Sequence, residues 1–193
     1  MSRLPIILAS TSKYRAQCLE KLNISFKQAS PICDELALKN ETPKELSLRL
    51  SIEKAKSLKA QFPDHLIIGS DQTCTFDDIG IIGKPGNFEN AKQQLLKASG
   101  NCLHFYTGLC VYDSKNDTYS ACVETYDAFF RELSIQEIEN YIHVDQPFDC
   151  AGSFKSEGFG ITLFEKLQGD DPNSLVGLPL IALNNLLRKH NTD

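Results

Sequence analysis

Where Ile6-Ile7-Leu8-Ala9 gives way to Ser10-Thr11-Ser12-Lys13-Tyr14-Arg15, an apolar run ends in hydroxyl residues and a helical pattern follows at once. This is a strand handing the chain to a helix start, with Ser10, Thr11 or Ser12 available as N-cap. The first turn of such a helix offers unpaired N–H groups and the positive end of its dipole, and Arg15 adds a planar guanidinium close by. The chemistry this suits is the binding of a polyphosphate. Two carboxylates complement it. Asp71 follows the apolar run His65–Ser70, and a carboxylate at the C-terminal end of a strand can reach into a cleft as metal ligand or general base. It is equally a plain turn residue. Glu35 lies in the loop-like stretch Ser30–Thr42. If it converges with Asp71, the pair would hold Mg2+ or Mn2+ through oxygen, alongside substrate phosphates. Lys84 stands in Gly83-Lys84-Pro85-Gly86, a tight turn that can aim a cation. Lys54, in Glu53-Lys54-Ala55-Lys56, is expected on a solvated helix face. Lys155 and Glu157 fall among small residues, Ala151-Gly152-Ser153-Phe154-Lys155-Ser156-Glu157-Gly158, which permit close backbone approach to a ligand and equally suit a mobile loop.

The elements that must position these groups mix strands and helices. Strands are expected at Leu4–Ala9, Ile24–Ala29, His65–Ser70, Cys102–Tyr112, Thr118–Phe130 and Ile161–Leu167, with a small hairpin of Thr73–Phe76 and Gly80–Gly83 around Asp77-Asp78. Helices are expected at Ser12–Leu22, from Pro43 to about Gln61, at Phe88–Ala98, at Ser134–Tyr141 behind a capping box, and at Pro179–His190. Phe148–Gly160 reads as a loop and Asp170–Asn173 as a turn. The class is α/β.

With 193 residues, 41% of them hydrophobic and 23% charged, the chain suits one globular domain or two small lobes sharing a cleft. No apolar run approaches the ~20 residues of a membrane span, and Leu4–Ala9 is too brief for a secretory signal, so a cytoplasmic location is expected. The seven cysteines form no Cys-x-x-Cys pair and argue against a zinc or disulfide framework. The four histidines lack His-x-x-x-His spacing, and each is read as structural or exposed. A net charge of −5 argues against nonspecific nucleic-acid binding but not against a small anion held by local Lys and Arg. The Walker-type and dinucleotide-type glycine loops are absent, as is a Gly-x-Ser-x-Gly elbow.

Taken in order, Leu8–Arg15, Asp34-Glu35, Glu53-Lys54-Ala55, Ile68-Gly69-Ser70-Asp71-Gln72, Gly83-Lys84-Pro85 and Gly177-Leu178-Pro179-Leu180 resemble the Maf (septum-formation inhibitor-like) nucleoside triphosphate pyrophosphatases over nearly the whole chain. The resemblance implies an α/β fold on a long mixed, twisted sheet flanked by helices, two lobes around a central cleft spanning residues 1–193, and often a homodimer. It implies hydrolysis of a nucleoside triphosphate to monophosphate and pyrophosphate with a divalent cation, Mg2+, Mn2+ or Co2+. Asp71 would match the proton acceptor, Ser10, Arg15, Lys54 and Lys84 the phosphate-binding group, and Glu35 a metal-associated carboxylate. The family loop commonly has Pro and a second Arg where Lys13 and Ala16 stand here, which implies a less rigid loop. Phe105–Leu109 and Cys150–Gly158 resemble the 7-methyl-GTP branch, whose specificity positions fall on Tyr14, Gln72 and Glu157. A cationic 7-methylguanine would stack on Tyr14, and a Glu157 carboxylate would accept from its N1–H and N2–H edge, a buried carboxylate left unpaired by a pyrimidine. Alternatives within reach are hydrolysis of dTTP, UTP or other modified nucleotides, and a nucleotide-binding regulator of division that turns nothing over.

Overall fold

The computed structural model describes residues 4–77 and 80–190. Its strands are β1 (Ile6–Ala9), β2 (Phe26–Ala29), β3 (Leu66–Thr75), β4 (Cys102–Asp113), β5 (Thr118–Phe130) and β6 (Phe164–Gly169). Its helices are α1 (Lys13–Glu20), α2 (Pro43–Lys56), α3 (Phe88–Ala98), α4 (Ile135–Asp145), α5 (Asn173–Val176) and α6 (Leu180–Lys189). The strands form one mixed sheet in the order β2-β1-β3-β4-β5-β6. β1 runs parallel to β2 and β3, and β3 through β6 are antiparallel. This is the α/β class expected. Among the described residues no helix is long and apolar enough to cross a membrane.

Alternation along the strands sorts the core. Ile7, Ile67, Cys110 and Tyr112 face one way and pack with Ala55 and Leu58 of the α2 region. Leu8, Ile68, Leu109 and Val111 face the other way, onto Cys18 and Leu19 of α1 and Leu183 and Leu187 of α6. Farther along that second face, Phe105, Tyr126, Ala128 and Phe130 meet Leu95 of α3 and Ile138 and Ile142 of α4.

Unequal strand lengths open the cleft. β1 pairs with β3 only from Leu66 to Ile68, whereas β3 runs on to Thr75 against β4. Past Ile68 the β1 side of β3 is left to the cleft, apart from the single bridge Thr75–Ile81. Asp71 is therefore not a turn residue beyond a strand: it lies inside β3, opposite Gly108. The apolar pattern stops at Ser70 because buried polar side chains follow, Ser70, Asp71 and Thr73, while the β4 ladder carries the strand on.

α2 starts on a reciprocal capping box between Thr42 and Glu45, with Pro43 in its first turn. It lies unusually close to the sheet. A Cβ on Gly69 would fall 2.0 Å from the Ser51 carbonyl oxygen, and one on Gly108 2.0 Å from that of Ser47. Only glycine at both positions lets the helix seat. α2 ends at Lys56, short of the expected Gln61, because the chain tightens into i→i+3 bonds from Leu58 to Ala55 and Lys59 to Lys56.

Other departures are local. Residues Phe159–Leu163 coil into a 3₁₀ turn, so the last strand starts at Phe164 rather than Ile161. The turn at Asp170–Asn173 leads into the short α5, and α4 continues past Tyr141 to Asp145. Of the expected hairpin, only the Thr75–Ile81 bridge forms, and Asp78 lies outside the described residues. The Phe148–Gly160 stretch is anchored rather than loose. Phe154 packs edge-on against Phe105 and Phe130, Lys155 N–H donates to the Tyr141 hydroxyl at 3.0 Å, and a 3₁₀ turn spans Ala151–Ser153.

Candidate active site

One cleft of about 680 Å³ is lined by Ser10, Tyr14, Arg15, Glu35, Lys54, Asp71, Gln72, Lys84 and Glu157, with Thr11, Ser12 and Lys155 also in its lining. The volume suits a nucleotide-sized ligand.

Its cationic end is built from several elements. Ser12 is the N-cap of α1, its hydroxyl accepting from Arg15 N–H, and Ser10 Oγ accepts from Ser12 N–H at 3.1 Å. The loop is held from β2 by Gln28 Nε2, which donates to the Ser10 and Ser12 carbonyls at 3.1 and 3.3 Å. Arg15 Nε donates to the Gly177 carbonyl at 2.9 Å, leaving its terminal guanidinium nitrogens for a ligand. The same carbonyl, and that of Gly108, lie 2.9 Å from Ser70 Oγ, so Ser70 ties the Gly177 turn to β3 and β4. Gly177 has φ +103°, a conformation that favours glycine, and a Cβ there would press on Arg15 Nε at 3.3 Å. Residues 82–86 are irregular rather than the expected tight turn, and α3 braces them: Gln94 Nε2 donates to Gly83 O at 3.1 Å and Asn90 Nδ2 to Pro85 O at 2.9 Å.

Lys54 does not sit on a solvated helix face. Its side chain is 7% exposed, and its Nζ lies 2.5 Å from Asp71 Oδ1 and 2.7 Å from Glu35 Oε1. The seating of α2 on Gly69 and Gly108 buries it there. Glu35 is carried by a loop that Arg49 clamps to α2. Arg49 makes a two-point bridge to Glu41 at 2.6 and 2.8 Å and donates to Leu36 O at 3.0 Å. Burial pushes the Asp71 carboxyl above its ordinary value, against the opposing pull of Lys54 and Arg15. The hydrogen bond from Lys54 holds the more exposed Glu35 below its own ordinary value.

The donor set fits a hard divalent cation. Two carboxylates converge on a point where the Lys54 ammonium already sits, and each keeps an oxygen that this ammonium does not take.

The other end is acidic and aromatic. The Tyr14 hydroxyl donates to Asp149 Oδ2 at 3.2 Å. Burial, then the neighbouring Cys150 and Asp149, raise the Tyr14 hydroxyl above its ordinary value, so it stays a donor. Lys13 Nζ lies 5.0 Å from the Tyr14 ring centroid, so this ring already carries a cation. Glu157 is exposed at the rim rather than buried, so a ligand must cover it before a missing partner is penalised. Gln72 Nε2 is committed to Ser174 O at 2.7 Å and Thr107 Oγ1 at 3.0 Å, which leaves its carbonyl oxygen for a base. Lys155 Nζ donates to Asp145 O at 2.7 Å, at the C-terminal end of α4. Sequence reasoning passed over Asp149, which no spacing marks, and the Gly177 carbonyl, which carries no residue-type signature.

With this geometry in hand, comparison with known proteins is direct. Residues 5–190 match the family described as Maf-like protein, and the chain belongs to the Maf family. Over 188 residues, covering 97% of this chain and 94% of the relative, it is 53% identical to a protein named 7-methyl-GTP pyrophosphatase from Colwellia psychrerythraea. A HAM1 protein from Coxiella burnetii shares the fold with a TM-score of 0.54 over 98% of this chain and 100% of that one, at 14% identity.

Proposed function

We propose that this protein hydrolyses 7-methyl-GTP to 7-methyl-GMP and pyrophosphate, in a nucleotide-pool housecleaning role. The observation that carries the reading is the buried Asp71 carboxylate held against Lys54 in a cleft whose cationic walls suit a triphosphate and whose far end suits a cationic base. The name of the Colwellia relative supports the choice of substrate.

Arg15, Lys84, Lys54 and the Ser10–Ser12 turn bind and orient the triphosphate, offsetting charge on its oxygens as the reaction proceeds. Asp71 orients a water at the α-phosphorus and accepts its proton. A bond forms from the water oxygen to that phosphorus, and the bond to the bridging oxygen of the β-phosphate breaks, releasing pyrophosphate. Asp71 and Glu35 would hold a divalent cation, which supplies charge neutralisation of the phosphates when bound. Tyr14 stacks on the base, with cation–π attraction of about 0.5–2 kcal/mol for a methylated, cationic guanine. Asp149 and Glu157 add negative charge at that end, and Glu157 accepts from the guanine edge once the base covers it.

The proposal includes a cytoplasmic location and a homodimer, for which the exposed Ile32, Leu36 and Leu38 offer an apolar surface. Sedimentation reads the oligomeric state. The test of function is a panel of 7-methyl-GTP, GTP, dTTP and UTP, with Mg2+, Mn2+ or Co2+ and after chelation, the products identified by mass. Expected are 7-methyl-GMP and pyrophosphate, no turnover with chelator, and no turnover by Asp71→Asn with its fold intact. Preference for dTTP or UTP, or near-normal pyrophosphate release by Asp71→Asn, would overturn it.

A further inference from the structure

Outside the cleft, the β4–β5 ladder gathers three metal-ligating side chains. His104 and Asp127 lie directly opposite one another, and Cys102 is two residues before His104. Strand periodicity puts all three on one face, while the intervening Leu103 turns into the core. His104 Nδ1 is 2.8 Å from Asp127 Oδ1, and one ligating atom from each of the three residues lies within 4.8 Å of the others. All three are partly exposed, so an ion can reach them. None lines the cleft. The Cys102 thiol makes a weak contact with the Leu103 carbonyl, at 3.8 Å, and also feels the Ala128 backbone and the Asp127 carboxylate across the ladder.

We propose that Cys102, His104 and Asp127 form a second metal site, for a zinc-like divalent transition ion, with a fourth position open to water. Thiolate and imidazole favour Zn2+ or Co2+ over Mg2+, so the site separates itself by chemistry from the oxygen-only pair Glu35 and Asp71. Bond lengths of about 2.0–2.3 Å in a tetrahedral site place neighbouring donor atoms roughly 3.3–3.6 Å apart. The group therefore has to draw together by at most about 1.5 Å on any edge, a matter of side-chain torsions on the ladder. The 2.8 Å contact between His104 and Asp127 is also what a plain ion pair would show, but such a pair has no use for Cys102. A bound ion would fasten β4 to β5 and stabilise the fold by mass action.

The experiment is a titration of metal-free protein with Co2+, followed by thiolate-to-cobalt charge-transfer absorption, a signal that carboxylates alone cannot give. The expected result is a band that saturates with one ion per chain, is bleached by Zn2+, and is lost in Cys102→Ser. Asp127→Asn should weaken binding by at least the roughly 10–100-fold that loss of an outer partner costs. Cys102→Ser should retain Mg2+-supported turnover. No band in the unaltered protein would overturn the proposal, as would a band that survives Cys102→Ser and disappears in Cys150→Ser, the cysteine of the cleft.

Discussion

Gly69→Ala tests whether the seating of α2 sets the position of Lys54. The added Cβ falls 2.0 Å from Ser51 O, 2.8 Å from Ala55 N and 3.0 Å from Ala55 Cβ. Close carbon–oxygen contacts begin near about 3.3 Å, so the helix must withdraw by more than about 1 Å, and with backbone atoms no rotamer change relieves the clash. Lys54 adjoins Ala55 and rides on the same turn, and its bonds of 2.5 and 2.7 Å to Asp71 and Glu35 stretch past the ~3.2 Å limit of a good hydrogen bond. Overpacking of this kind costs about 1–3 kcal/mol, which lowers Tm by roughly 2–12 °C for a chain of this size. A group displaced by about 1 Å costs on the order of 10²-fold in rate. The assay is pyrophosphate release at a temperature where circular dichroism shows the variant folded, with Tm read on the same preparation. Gly108→Ala is the companion. Its Cβ falls 2.0 Å from Ser47 O, nearer the helix N-terminus and away from Lys54, so it should lose similar stability and less activity. A Gly69→Ala enzyme with lowered Tm but kcat/KM within about threefold of the parent would refute the link between helix seating and catalysis.

Further outcomes follow from the same geometry. Ser70→Ala frees the Gly177 turn that holds Arg15, and steady-state kinetics should show KM rising by about 2–10-fold with kcat little changed, the cost of one hydrogen bond of roughly 0.5–1.5 kcal/mol. The acid limb of the kcat/KM profile should sit above the ordinary carboxylate value of about 3.9, because burial raises Asp71 and the base must be ionised. Lys54 pulls Asp71 down, so in Lys54→Met the limb of the residual activity should move to still higher pH. By linkage, the folded state holds this proton more tightly than the unfolded chain. Stability from Asp71 is thus full below the ordinary carboxylate value and lost as pH rises through the raised one, a slope that denaturant titrations of Asp71→Asn should lack. Tyr14→Leu should shrink the preference for 7-methyl-GTP over GTP by roughly 2–30-fold, the kinetic equivalent of about 0.5–2 kcal/mol of cation–π attraction.

What the sequence could show depended on how far each group's environment reaches along the chain. The strand-to-helix turn at Ser10–Arg15 was readable because cap, dipole and guanidinium lie within one stretch, and the open choice among three hydroxyls closed on Ser12 once Arg15 N–H was seen to donate to it. Lys84 differs: Gly83 and Pro85 suggest a tight turn, but residues 82–86 are irregular and Gln94 and Asn90 of α3 hold the segment instead. Lys54 was misjudged because its burial is decided by Gly69 and Gly108, on two other strands, and helical periodicity says nothing of how near a sheet will come. Asp71 reads as one step beyond its strand because a buried strand that floors a cleft with polar side chains loses its apolar pattern while keeping its ladder. Family resemblance named the remaining positions, and local spacing alone would have left Tyr14, Gln72 and Glu157 undistinguished.

The partition of charge within the cleft lies at a level that no single motif encodes. Arg15, Lys84 and Lys54 gather where β1 stops short of β3, whereas Asp149 and Glu157 come from the anchored stretch after α4, and Tyr14 stands between them on α1. A net charge of −5 would repel a triphosphate from the chain as a whole. The cleft answers this with local clusters: Arg15 and Lys84 lie near the Lys54–Asp71–Glu35 group, while Asp149 and Glu157 lie near Tyr14, with Lys13 and Lys155 also in the lining. On the proposed pose a neutral guanine would gain only hydrogen bonds from the acidic end, while a methylated, positively charged one would gain charge attraction there as well. On the proposed function, selection for the modified nucleotide would come from the acidic groups beside Tyr14, whose hydroxyl donates to Asp149.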